Sequence, residues 1–247
     1  MQVGLGGLGP RSNNAPGFCG TPSVLSGPGG LQVVAFGGAG GTGTEFRSTA
    51  EQCTGDEGGG GGTGPSNPHN SHPAYDWTRS FDSSGTNRVN VTQYSNNGRP
   101  FYDASAIRVG EGYGGGGGGA GGPARDVDSV HGTASRGCGG FGLQTNFDGQ
   151  SRFYAAGGAG ASYALSPGSC RSASGIGGEG GWHNCDSQRC SSVGGRAEPT
   201  PGTAHTGSGG GGATDRCSGV PPNWARCGEG FETANGGHGI VIVRFRA

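Results

Sequence analysis

Apolar residues in this chain come in short clusters set between glycine runs, with no extended stretch of helical spacing. Leu31, Gln32, Val33, Val34, Ala35 and Phe36 have the β-branched and aromatic content of a short strand, and they run straight into Gly37, Gly38, Ala39, Gly40 and Gly41. The same order returns at Arg152, Phe153, Tyr154, Ala155 and Ala156, followed by Gly157, Gly158, Ala159 and Gly160. Two copies suggest a recurring unit in which a strand feeds a glycine segment, without the fixed period of a solenoid. Arg88, Val89, Asn90, Val91 and Thr92 alternate like an exposed strand. The strongest strand signal is Ile240, Val241, Ile242, Val243, Arg244 and Phe245, continuous and launched by a glycine turn. So apolar a run is expected to be a buried closing strand, or a strand donated to a neighbouring subunit.

The glycine runs themselves exclude ordinary elements. Residues 114–119 are six consecutive glycines, followed by Ala120, Gly121 and Gly122. Such a tract has no apolar face to bury, and glycine loses the most backbone entropy on ordering. It either stays a flexible linker or takes up the extended left-handed helix of three residues per turn that glycine shares with polyproline. That helix has no internal hydrogen bonds, so in a folded protein its N–H and C=O groups need neighbouring chains. One tract alone would be a linker; a sheaf of them could be a core. Strict Gly-X-Y repetition is absent, which rules out collagen.

Composition favours the ordered alternative. Of 247 residues 62 are glycine, while Leu, Ile, Val and Phe together number 33, below the level of ordinary globular domains. Disorder would also call for high net charge, and here the net charge is −1 with 13% charged residues. The expected fold is therefore glycine-rich and mostly irregular or β, with bundled glycine helices, short strands and very little α-helix. Residues 1–30, punctuated by Pro10, Pro16, Pro22 and Pro28, read as an irregular N-terminal segment, and 31–247 as a single glycine-rich domain.

Within that domain residues 65–109 change character, with less glycine and more aromatic, Asn, Ser and Asp residues. An excursion of this length between glycine tracts reads as a surface loop or small subdomain suited to recognition. Tyr75, Trp77, Tyr94 and Tyr102 are its candidate recognition residues, although the same aromatics could instead cover glycine segments that have no side chains of their own. Asn90, Val91 and Thr92 form an N-glycosylation acceptor, relevant only on a secretory route.

All 16 basic residues are arginine, scattered singly against 17 acidic ones, so no basic stripe exists to follow a phosphate backbone. No run of 18 apolar residues is present to span a membrane. Residues 1–8 lack the charged region, apolar region and cleavage site of a signal peptide, as expected of a mature chain or of one released without a leader.

The eight cysteines Cys19, Cys53, Cys138, Cys170, Cys185, Cys190, Cys217 and Cys227 are even in number and widely spread. With so few large apolar residues, disulfides at about 2–4 kcal/mol each would be valuable, and they point to an oxidising, extracellular setting. Cys185 with Cys190, or Cys217 with Cys227, could close local loops; sequence does not fix the pairing. His183 beside Cys185 and Cys190, and His69 with His72, lack the spacing of a tetrahedral zinc site, so no metal or other cofactor is expected. No lysine exists to complete a phosphate-binding loop, and no Gly-x-Ser-x-Gly elbow stands in a strand–turn–helix context. Asp56 with Glu57, and Asp126 with Asp128, read as turn residues, and no nucleophile has an oriented base. No catalytic residue is assigned.

A glycine-rich body ending in Gly236, Gly237, His238, Gly239, Ile240, Val241, Ile242, Val243, Arg244 and Phe245 resembles the glycine-rich domains of bacteriophage tail-fibre, receptor-binding and minor tail proteins. Those domains finish in a Gly-Ser-Gly-Ile-Val-Ile-Ile-Arg-Tyr-like strand; His238 stands where serine is usual and Phe245 where tyrosine is usual. The resemblance implies bundled polyglycine-II helices capped by β-structure, in an appendage that touches a surface. A second resemblance, to the glycine-rich ectodomain of the anaplastic lymphoma kinase receptor family, rests on Gly157, Gly158, Ala159, Gly160, Ala161, Ser162 and Tyr163 with Gly237, His238 and Gly239. It implies a similar bundle used to bind a partner. The expectation is a non-enzymatic, extracellular or virion-surface structural protein, homo-oligomeric or filament-forming. The alternative is a receptor-like module that engages a protein or glycan.

Overall fold

In a computed structural model of the chain, the described residues are 1–9, 18–28, 32–35, 37–38, 96, 116–126, 137–160, 174–183, 196–212 and 234–245. Their strands are short and join in pairs. β1 (Ser23–Ser26) pairs antiparallel with β2 (Gln32–Ala35), β3 (Arg125–Asp126) with β4 (Gly137–Cys138), β5 (Leu143–Thr145) with β6 (Arg152–Tyr154), and β7 (Trp182–His183) with β8 (Arg196–Ala197). β2 and β6 are the strand halves of the two strand-then-glycine units legible in the sequence.

Between the strands, glycine segments are held side by side by backbone hydrogen bonds that recur every three residues. The segment 155–160 shows the rule. Its Gly157 and Gly160 N–H groups donate to the carbonyls of Gly140 and Gly137, at 3.0 and 2.8 Å. Its Ala155 and Gly158 carbonyls accept from Ala120 and Gly117, at 2.7 and 3.0 Å, and its Ala156 and Ala159 carbonyls accept from Gly209 and Gly212, at 2.8 and 2.9 Å. Successive residues therefore face different neighbours, and each neighbour is met again three residues on. Three residues per turn is the period of a polyproline-type helix, which has no internal bonds and leaves every peptide group to its neighbours.

The lattice extends outward from there. Gly178 and Gly181 donate to Gly209 and Gly212, Thr200 and Thr203 to Glu179 and Ile176, and Ala234 and Gly237 to Gly211 and Ser208. The bonds running from 157 and 160 back to 140 and 137 join opposed segments, while those from 209 and 212 to 156 and 159 join segments running the same way.

Among the described residues the interior is made almost wholly of backbone. The buried apolar residues among those described are Ala124, Cys138, Ala156 and Ala159, and the largest fully buried side chain is that of Ser208. Its Oγ accepts from the Ala156 N–H at 3.3 Å and shares a hydrogen bond of 2.7 Å with the Thr206 hydroxyl. Segments approach so closely that a Cβ at Gly158 would collide with the Gly210 carbonyl oxygen, and one at Gly211 with that of Glu179. Glycine is what permits the spacing. With few buried apolar side chains among the described residues, cohesion of these segments falls to the backbone hydrogen bonds, each worth about 0.5–1.5 kcal/mol net.

Residues 1–30 take part in the lattice: Gly236 and Gly239 donate to Gly7 and Gly4, and within the segment Thr21 and Phe18 donate to Leu5 and Leu8. The glycines at 4, 6, 7 and 9 give residues 4–9 the composition of the other segments. The strand expected at 240–245 does not form with any described residue. It is not a buried closing strand either, since Ile240, Val243 and Phe245 are exposed.

Candidate functional site

The residues proposed from sequence for recognition, Tyr75, Trp77, Tyr94 and Tyr102, lie outside the described residues, as do Asn90 and Cys53, Cys170, Cys185, Cys190, Cys217 and Cys227. Cys19 and Cys138 are described, and both are in disulfides. From the 65–109 excursion Asn96 is described: its Nδ2 donates to the carbonyls of Gly119 and Ala120, at 2.7 and 3.3 Å. That side chain ties residue 96 to the 116–122 glycine segment.

The candidate site on the described surface is the 240–245 run with its surroundings. Gly239, immediately before it, donates to the Gly4 carbonyl at 3.0 Å, and Gly4 donates to Ser23 Oγ at 2.9 Å. His238 Nδ1 accepts from the Gly6 N–H at 3.4 Å and Asn235 Oδ1 from the Gly9 N–H at 2.9 Å, so residues 234–239 are tied along the 4–9 segment by side chains as well. From Ile240 onward the tie ends. Among the described residues, no backbone group of 240–245 has a hydrogen-bond partner. Val241 and Ile242 are half-buried, whereas Phe245 is 85% exposed.

The neighbouring segments add apolar surface that the sequence reading passed over. Met1, Val3, Leu5, Leu8 and Phe18 are all exposed. A signal for two of them was present: Leu5 and Leu8 stand three apart in a glycine stretch, and so share one side of a three-residue turn.

A second polar cluster stands on the β5–β6 hairpin. Asp148 Oδ1 accepts from the Gln150 N–H at 2.9 Å, and Oδ2 from the Tyr154 hydroxyl at 3.0 Å, with Arg152 Nε 3.4 Å away. The Gln150 N–H, aided by Tyr154 and Arg152 and opposed by partial desolvation, holds the Asp148 carboxyl below its usual 3.8. Partial desolvation, and then Asp148, push the Tyr154 phenol above its usual 10.0. Arg152 also donates to Gln150 Oε1. The group orders a turn, with no nucleophile and base set against each other. Elsewhere Arg125 stacks over Phe141, its Cζ 4.0 Å from the ring centroid.

Among the described residues no set of three His, Cys, Asp or Glu side chains could hold a metal ion, and no helix is long and apolar enough to cross a membrane. Comparison with protein-family models, curated proteins and solved structures gave no match.

Proposed function

We propose that the chain is a non-enzymatic structural subunit of an extracellular or virion-surface appendage, of tail-fibre, adhesin or filament type. Its glycine segments are bundled polyglycine-II helices stapled by disulfides, and its 240–245 run is an assembly strand. The observation that carries this reading is the run itself: six residues, mostly β-branched, whose backbone groups take no partner among the described residues. Free strand groups beside apolar surface are a template for pairing with another chain. The described segments behind them suit a mechanical part, because backbone bonds hold them to one another.

Electron microscopy of the assembled protein tests the reading. A helical array or a closed ring or trimer is the expected result, and particles that stay single at every concentration would overturn it. A second reading, a receptor-like module for a protein or glycan, draws on Asn96, a residue of the aromatic-rich excursion whose side chain bonds to the Gly119 and Ala120 carbonyls. Replacing Tyr75, Trp77 and Tyr94 together with alanine is then expected to abolish binding to the target surface while the fold persists; undiminished binding would remove that patch.

A further inference from the structure

The donated strand needs an acceptor, and the backbone bonding indicates where one lies. Gln2 and Val24 exchange both of their backbone hydrogen bonds, at 2.7 and 2.8 Å. The N–H and C=O of Val24 therefore point toward residues 1–4 and away from β2. Val24 stands opposite Val34 in the β1–β2 register, so this pair is the non-hydrogen-bonded kind, and the bonds between the strands run through Ser23 with Ala35 and Leu25 with Val33. It follows from strand alternation that the N–H and C=O of Val34 point outward, off the far edge of β2. Among the described residues nothing takes them.

The order across this part of the molecule is then fixed. Residues 234–239 lie along residues 4–9, Gln2 bridges to β1, and β1 pairs with β2. Gly239, at the root of the 240–245 run, comes against Ser23 of β1, and β1 stands between residues 1–4 and β2. Among the described residues, the run and the outer edge of β2 are each without a backbone partner, and they are different segments of this part of the chain. Neither Ser23–Ser26, Gln32–Ala35 nor 240–243 contains a charged residue, so no like-charge contact opposes pairing of the two free edges.

We infer that the outer edge of β2, centred on Val34, is the acceptor for the 240–245 strand of a second copy of this chain. This rests on the assembly-strand reading above. Donor and acceptor are different surfaces of the chain, so the contact is head-to-tail and leaves a free donor and a free acceptor after every addition. It grows a filament, or closes a ring if the rotation per subunit allows.

Two proline variants of the full chain separate the halves. Ile242→Pro removes a donor from a segment whose backbone makes no bonds to the described residues of its own chain. Val34→Pro removes an outward N–H from an edge strand, the position in a sheet where proline is tolerated. Sedimentation velocity is expected to show concentration-dependent assembly of the parent chain and monomers for each variant alone. An equimolar mixture is expected to form a 1:1 heterodimer and nothing larger, because it offers one working donor and one working acceptor. Assembly of the Val34→Pro chain with loss of assembly in Ile242→Pro would overturn the β2 acceptor while leaving the assembly strand standing. Undiminished assembly of Ile242→Pro, or a parent chain that stays monomeric, would overturn both. Should Val34→Pro fail to fold, a labelled synthetic peptide of residues 239–247 titrated onto the Ile242→Pro chain decides the matter. Saturation at one peptide per chain with shifted Val34 amide resonance supports the acceptor, and binding that leaves Val34 unchanged, or no binding, overturns it.

Discussion

A methyl group at position 158 has nowhere to go, while one at position 38 meets nothing within 4 Å. Both glycines hold the second place of a Gly-Gly-Ala-Gly motif that follows a strand-like cluster, so sequence treats them alike. Gly158→Ala is expected to destabilise the fold by about 1–3 kcal/mol or more, as overpacking against backbone does, whereas Gly38→Ala should stay within about 0.5 kcal/mol. Paired denaturant titrations of the two variants check this. The contrast shows where residue-scale reading stops: glycine content announces close approach, but which glycine is enclosed depends on segments distant in sequence, here 207–212 against 155–160. Asp148 gives a second test at this scale. Its carboxyl titrates lower in the folded hairpin than in the unfolded chain, so its support for the turn is complete above the unfolded value and is lost as pH falls through the folded one. An NMR titration should show the Gln150 amide moving with a midpoint below pH 3.8, and Asp148→Asn should abolish that movement.

At the scale of elements, the strands that sequence marked by β-branched content form where they have a local partner. β2 lies across a short connection from β1, and β6 closes a hairpin on β5 through Asn146, Asp148 and a Gly149 of φ +86°. Ala155, directly after β6, carries a φ of +53°, the turn by which that strand hands over to the glycine segment. The 240–245 run has the best strand sequence in the chain and forms no strand, because β-propensity describes a fit to a neighbouring strand and none of the described strands pairs with it. Its unbonded state makes a definite forecast. Ile242→Pro should shift the denaturation midpoint of the monomer by less than about 1 kcal/mol, in the range of changes away from packed features. A buried closing strand would lose more than that with one of its ladder bonds, so a large destabilisation measured by urea titration would restore the closing-strand picture.

At the scale of the whole molecule, composition suggests a kind of cohesion and carries no map of it. Too few large apolar residues for an ordinary core, too little charge for disorder and several glycine tracts together pointed to backbone as the interior. Which tract lies against which, and that residues 4–9 join the lattice, follow from hydrogen bonds between segments as far apart as 7 and 236, for which no side-chain pattern exists to be read. The candidate assembly surface was legible at its donor, 240–245, and hidden at its acceptor, because an open edge is a property of pairing and not of the residues Gln32–Ala35 alone. Native-state hydrogen exchange at the Gly117, Gly140 and Gly157 amides tests the central claim most directly, since these three N–H groups link three glycine segments to one another. Slow exchange of all three, governed by global unfolding, is the expected result. Exchange at the rate of an unstructured glycine chain would show that the tracts are linkers, and would contradict a glycine bundle as the core of this protein.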